Sequence, residues 1–156
     1  MTFGDFFWAA LNLSHRVLYG IVHGAVMCLF IGLAVGIRTR QPAAGALAGP
    51  LIGVIAAGAF YVLALWLRLT AMFPAWMVFW ICFALLQSKL AREDSVRGAT
   101  VQGLVAATLS GIAFYLVSGI WTRHDPGGPN YAWNFIAWNF AFFPGFAVLF
   151  WKRVGR

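Results

Sequence analysis

Charged side chains cut this chain into five long uncharged stretches, and no other feature limits its fold so strongly. Residues 17–37, 41–67, 69–88, 98–122 and 126–151 contain no Asp, Glu, Lys or Arg, giving lengths of 21, 27, 20, 25 and 26 residues. About 18 apolar residues in a helix are enough to cross the hydrocarbon of a bilayer. With 62% hydrophobic residues and only 10% charged, the chain cannot cover itself with a water-soluble surface. The expectation is an all-α, polytopic membrane bundle of five transmembrane helices, forming a single domain over residues 1–156.

The same pattern removes several other readings. A net charge of +7 would suggest nucleic acid in a soluble domain, but here the basic residues sit in short connections between apolar runs. No nucleic-acid partner is expected. Asp5, and the lack of Lys or Arg before Arg16, speak against a secretory signal peptide. Cys28 and Cys82 lie in the middle of apolar segments and form no C-x-x-C pair, so neither a structural disulfide nor a zinc knuckle is expected. The apolar runs are continuous instead of alternating, which excludes a transmembrane barrel. No phosphate-loop, nucleophile-elbow or zinc-protease motif occurs.

Basic residues also indicate orientation. Arg16, Arg68 and Arg123 fall on one side of the membrane, and Arg38, Arg40, Lys89, Arg92, Arg97, Lys152, Arg153 and Arg156 on the other. The positive-inside rule then places the N-terminus outside and the C-terminus in the cytoplasm of a cell (inner) membrane. Spans are expected at about 17–37, 45–67, 74–90, 98–121 and 131–151. Pro74 sits at a helix start, where its missing N–H costs nothing, and Pro144-Gly145 predicts a kink in the last span. Residues 1–14, with Phe3, Phe6, Phe7, Ala10 and Leu11 at helical spacing, read as a short helix lying in the outer interface. Trp66, Trp76, Trp121 and Trp133 cluster at the outer boundary, where amphipathic rings prefer to sit. Glu93 and Arg97 form an i,i+4 pair that predicts a helical extension into the cytoplasm, and Gln87 and Gln102 cap or solvate that face.

Small residues recur every fourth position in three spans. Span one carries Gly20, Gly24, Cys28, Gly32 and Gly36; span two Gly45, Gly49, Gly53, Ala57 and Tyr61; span four Ala99, Gly103, Ala107, Gly111 and Tyr115. Spans two and four match at a constant offset of 54, with Ala59-Phe60-Tyr61 against Ala113-Phe114-Tyr115. The match continues into spans three and five, which suggests a parallel repeat of two hairpins, spans 2–3 and 4–5. Small-xxx-small packing lets backbones approach closely. The three striped spans are therefore expected to form a compact centre, with spans three and five outside it. The alternative is a narrow ligand channel bordered by glycines.

Candidate chemistry lies in the outer half. His23 is the one ionisable group inside a span among Asp, Glu, Lys, Arg and His, about one and a half turns from the predicted outer edge. Ionisable groups inside a membrane suggest function, although a neutral His bonded to a neighbouring helix is the plainer role. His15, Tyr19, His23 and Met27 form a four-step row, while His124 and Asp125 lie in the outer loop. Haem would require a second His deep in a facing helix, and copper a ligand spacing that Met27 and Cys28 do not provide. Neither is expected, and no cofactor can be named. Span five adds Asn130, Asn134 and Asn139, either as interhelical glue or as ligands to a headgroup, quinone or polar solute. His23, Arg123 and Asn134 are expected to converge near the outer boundary, with His15, His124 and Asn130 around them. Such a set favours an anionic or carbonyl-bearing headgroup.

The leading functional expectation is a non-enzymatic integral membrane protein that binds or passes a small or lipidic ligand on the outer-leaflet side. Its partners would be membrane lipids, further copies of itself, or a larger membrane complex. An accessory subunit docking through the small-residue stripes is the first alternative, and a membrane redox or metal-handling protein the second. Enzymatic work is disfavoured because no carboxylate, Lys or Cys–His pair lies within the spans.

Overall fold

The computed structural model describes residues 15–93, 95–118 and 131–151. Five α-helices follow one another: α1 Arg16–Arg38, α2 Pro42–Leu67, α3 Met72–Leu90, α4 Val96–Ser118 and α5 Tyr131–Trp151, with a 3-10 turn at Arg68–Ala71. These match the five expected spans to within three residues at every boundary. Four helices are long and apolar enough to cross a membrane: Val17–Arg38, Pro42–Leu67, Met72–Leu90 and Val96–Val117. In α5 the described apolar part, Asn139–Trp151, is shorter. The protein is thus an all-α bundle with the build of a multi-pass membrane protein. The expected interfacial helix at 1–14 lies outside the described residues.

Two of the connections are tight turns of one kind. After α1, the N–H of Arg40 reaches the Ile37 carbonyl and that of Gln41 the Gly36 carbonyl; after α3, Arg92 reaches Lys89 and Glu93 reaches Ser88. Both are Schellman caps, which require a left-handed residue just beyond the helix. Arginine takes that position each time, at φ 61 for Arg40 and φ 57 for Arg92. Glu93 therefore belongs to a turn, and the expected helical extension from Glu93 to Arg97 is not formed. The capping geometry ends α3 at Leu90, and α4 starts six residues later at Val96.

α1 and α2 close into an antiparallel hairpin along their glycine stripes. A Cβ on Gly45 would strike the backbone of Gly32 and Gly36, one on Gly49 the carbonyl of Cys28, and one on Gly53 the carbonyl of Gly24. Tyr61 ends the seam by laying its ring over Gly20. Backbone-to-backbone contact of this kind needs residues without side-chain bulk.

The third stripe does something else. Gly103 of α4 packs against the backbone of Trp80 and Ile81 in α3, and Gly111 sits beside the Phe73 ring. Among the described residues α4 packs with α3 and α5 and does not approach α1 or α2. The three stripes therefore do not share a centre, and α3, expected at the periphery, forms the core. Its Trp76, Phe79, Trp80, Phe83 and Ala84 are all buried. The reason is complementarity of size: bulky α3 rings fill the space that small residues of α4 and α5 leave, as close packing requires. Gly145 of α5 seats the Trp80 indole, which a Cβ there would penetrate. Trp76, expected in the boundary belt, points inward, with its ring 5.5 Å from Phe114 and 5.7 Å from Phe142. Trp66 is 72% exposed, while Trp121 and the side chain of Trp133 lie outside the described residues. α2 and α4 nevertheless behave alike: each lays its stripe on the helix that precedes it.

Candidate functional site

At the end of the bundle that carries Arg38 and Lys89, neighbouring helices cap the last turn of α5. A helix leaves its final four carbonyls without intrahelical partners, and three side chains from three helices supply donors. Arg38 Nη2 donates to the Phe150 carbonyl at 2.7 Å. Gln87 Nε2 donates to the Leu149 carbonyl at 2.9 Å, and Gln102 Nε2 to the Val148 carbonyl at 2.9 Å. The same end of α3 receives Gln41 Nε2 on its Leu90 carbonyl at 2.7 Å. The expected capping role of Gln87 and Gln102 is thus realised, with α5 as its object.

Toward the opposite end, α1 and α5 separate. No Cα of α1 lies within 8 Å of one in α5 among the described residues. A cleft of about 690 Å³ occupies the space between them, backed by α2 and α3. This volume is in the ordinary range of small-molecule sites. Its lining is largely apolar, with Met27 and Ile31 from α1, Trp76 and Phe79 from α3, and Phe142 and Phe146 from α5.

Three polar side chains line it: His23 from α1, Tyr61 from α2 and Asn139 from α5. His23 is seven residues past Arg16, Tyr61 six short of Leu67 and Asn139 eight past Tyr131. The helix ends are not level: the α1–α2 seam sets Gly53 against Gly24 and the Tyr61 hydroxyl against Gly20, three residues nearer that end than His23. All three polar side chains lie in the half of the bundle away from Arg38, and Met27, Ile31 and Phe146 line the cleft on the side toward it. His23 is also placed by its neighbour Tyr19, whose ring centre lies 5.8 Å away. Gly20 and Gly24 keep this part of α1 bare, so that Tyr61 reaches across it.

Of the residues expected to form a site, His23 stands in the cleft wall. His15 is exposed as the residue just before α1 and does not line the cleft. Arg123, His124, Asn130 and the side chain of Asn134 lie outside the described residues. Asn139, expected either as interhelical glue or as a ligand, lines the cleft, and so does Tyr61, which the sequence presents only as the end of a packing stripe. A tyrosine where a small residue would continue the pattern is the signal for it. Asn139 lies five residues beyond Asn134 and so falls on a different part of the helical wheel, the one that meets the cleft.

No Asp, Glu, Lys or Arg lines the cleft among the described residues, and no three His, Cys, Asp or Glu side chains among them come together as a metal site. Cys28 lines the cleft and is a free thiol, as is Cys82. The site can exchange hydrogen bonds in its half away from Arg38 and offer van der Waals contact elsewhere. Comparisons with family models, curated proteins and solved structures find no match to this chain.

Proposed function

We propose that this is a multi-pass protein of the cell (inner) membrane that binds or passes a small or lipidic amphiphile through the cleft between α1 and α5. One observation carries the reading: a cleft of about 690 Å³ bears His23, Tyr61 and Asn139 in its half away from Arg38 and almost only apolar side chains elsewhere. A ligand with a hydrogen-bonding head and an apolar body matches that division. Arg38, Arg40, Lys89, Arg92 and Arg97 gather at the end opposite to these polar side chains. The positive-inside rule makes that end cytoplasmic, so the polar side chains belong to the outer half of the bilayer.

Native mass spectrometry of the protein, extracted into mild detergent, tests the proposal. A bound small mass should accompany the wild-type chain and be lost from a His23→Ala, Asn139→Ala double variant that melts normally. A ligand-free wild type after extraction from its own membrane contradicts it.

A further inference from the structure

We infer a second site at the other end of the bundle, where the ends of α3 and α5 meet the start of α4. It holds the head of a phospholipid that bears both a phosphate and a primary ammonium, in the leaflet on the Arg38 side.

The cavity there measures about 520 Å³ and has no lining residue in common with the cleft among the described residues. Part of its wall carries groups whose donors already serve the protein. Gln87 Nε2 donates to the Leu149 carbonyl at 2.9 Å, and Gln102 Nε2 to the Val148 and Leu149 carbonyls at 2.9 and 3.2 Å. Ser88 Oγ donates to the Glu93 carbonyl at 2.8 Å. Their oxygens remain as acceptors.

Gln87 points to a ligand. It is 5% exposed and lines the cavity, and its Oε1 is buried without a donor among the described residues. Exchanging the two ends of its amide would set Oε1 against the Leu149 carbonyl, so a flip brings no relief. A buried acceptor without a donor is costly, and a donor entering the cavity removes that cost. Glu93 adds a carboxylate to the lining, a charge that favours a cationic donor over a neutral one.

The start of α4 supplies the opposite chemistry. Ser95, Gly98 and Ala99 line the cavity. Ser95 Oγ accepts from the Gly98 N–H at 3.0 Å, and the Ser95 carbonyl from the Ala99 N–H at 3.0 Å. That leaves the Ser95 hydroxyl proton and the first-turn N–H groups of Val96 and Arg97 as donors. A helix N-terminus of this kind favours an anion, and a phosphate accepts from several donors at once. Arg97, exposed in that turn, adds a full positive charge.

One molecule answers both ends: its ammonium donates to the carboxamide oxygens while its phosphate accepts from the start of α4. The level in the membrane agrees. The lining continues into Val101, Ala147 and Trp151, and Trp151 is 87% exposed. An amphipathic ring at a helix end marks the interface, where phospholipid heads join their acyl chains.

Native mass spectrometry of the delipidated protein tests this with phosphatidylethanolamine, phosphatidylcholine and phosphatidylglycerol of identical acyl chains. Phosphatidylethanolamine should be retained about tenfold better than phosphatidylcholine, whose quaternary ammonium has no N–H, a ratio worth about 1.4 kcal/mol. Ala147→Trp fills the cavity from an exposed position that takes no part in the capping bonds. It should lower retention by about the same factor, whereas Leu51→Trp, at a side chain 65% exposed on α2, should leave it unchanged. Should Ala147→Trp fail to melt cooperatively, Val101→Trp fills the cavity from α4 instead. The His23→Ala, Asn139→Ala variant should retain the lipid as the wild type does, which keeps the two sites apart. Equal retention of phosphatidylcholine overturns the primary ammonium, and tighter retention of phosphatidylglycerol overturns the cation. Glycerophosphoethanolamine, the same head without tails, binding as tightly as the lipid overturns the lipid as its source. Retention that neither tryptophan lowers overturns the site.

Discussion

Arg38 holds Phe150 by two contacts at once: its guanidinium donates to the Phe150 carbonyl at 2.7 Å, and its Cζ stands 5.3 Å over the Phe150 ring. The first satisfies an orphan carbonyl and places a cation at the negative end of α5. The second is a cation–π contact. Together they tie the α1–α2 hairpin to α5 at the closed end of the cleft.

Arg38→Ala should therefore destabilise the protein by about 1.5–3 kcal/mol, the usual range for a hydrogen bond to a charged group. Arg38→Lys should recover only part of this, because an ammonium lacks the planar fork and stacking face. Thermal melting in detergent measures both, and a fully restored lysine variant would exclude the two-contact geometry.

The glycine seam predicts a sharp contrast along one helix. Gly49→Leu drives a side chain into the Cys28 carbonyl, and Gly103→Leu does the same at Trp80 and Ile81. Overpacking of this kind costs about 1–3 kcal/mol or more. A Cβ at Gly58 meets nothing within 4 Å, so Gly58→Ala should be neutral or gain up to about 1 kcal/mol from helix propensity. Wild-type melting temperatures for both leucine variants would remove the seam.

Gln87 and Gln102 share an acceptor, since Gln102 Nε2 also reaches the Leu149 carbonyl at 3.2 Å. Either substitution to Leu alone leaves that carbonyl one donor and should cost about 1 kcal/mol. The double variant strips it and should cost more than the sum, by about 0.5 kcal/mol or more. A double-mutant cycle decides, and strict additivity would mean that the two donors are independent.

Orientation is open to cysteine labelling. In a Cys-free background, cysteines at Thr70 and Gly127 should react with an impermeant reagent from outside, and cysteines at Ala43 and Val96 should not. Ala43 and Val96 are both exposed. The reverse pattern would turn the cleft toward the cytoplasm.

The span limits were legible in the sequence because charges are excluded from hydrocarbon, so their positions mark the helix ends within a few residues. The seam between α1 and α2 was legible too, since a glycine at every fourth position has few other uses. The role of α3 was not. Four-residue periodicity says which face of a helix is small but not which neighbour it meets, and Trp76 reads equally as a boundary ring or a core ring. Packing decides: Gly145 and Gly103 provide the hollows into which α3 fits. His23 was found in advance because a lone imidazole in a span stands out. Tyr61 and Asn139 join it in the cleft lining only through the antiparallel turn of α2 and the packing of α5 on α3 and α4, neither of which one sequence encodes locally.

The most direct measurement is an experimental density map of the protein in a lipid nanodisc prepared with its native lipids. Elongated density should fill the space between α1 and α5, its head beside His23, Tyr61 and Asn139 and its tail running past Met27 toward Phe146. A map in which α1 and α5 pack face to face, with His23 closed against Phe142 and nothing between them, would contradict the cleft as a binding site.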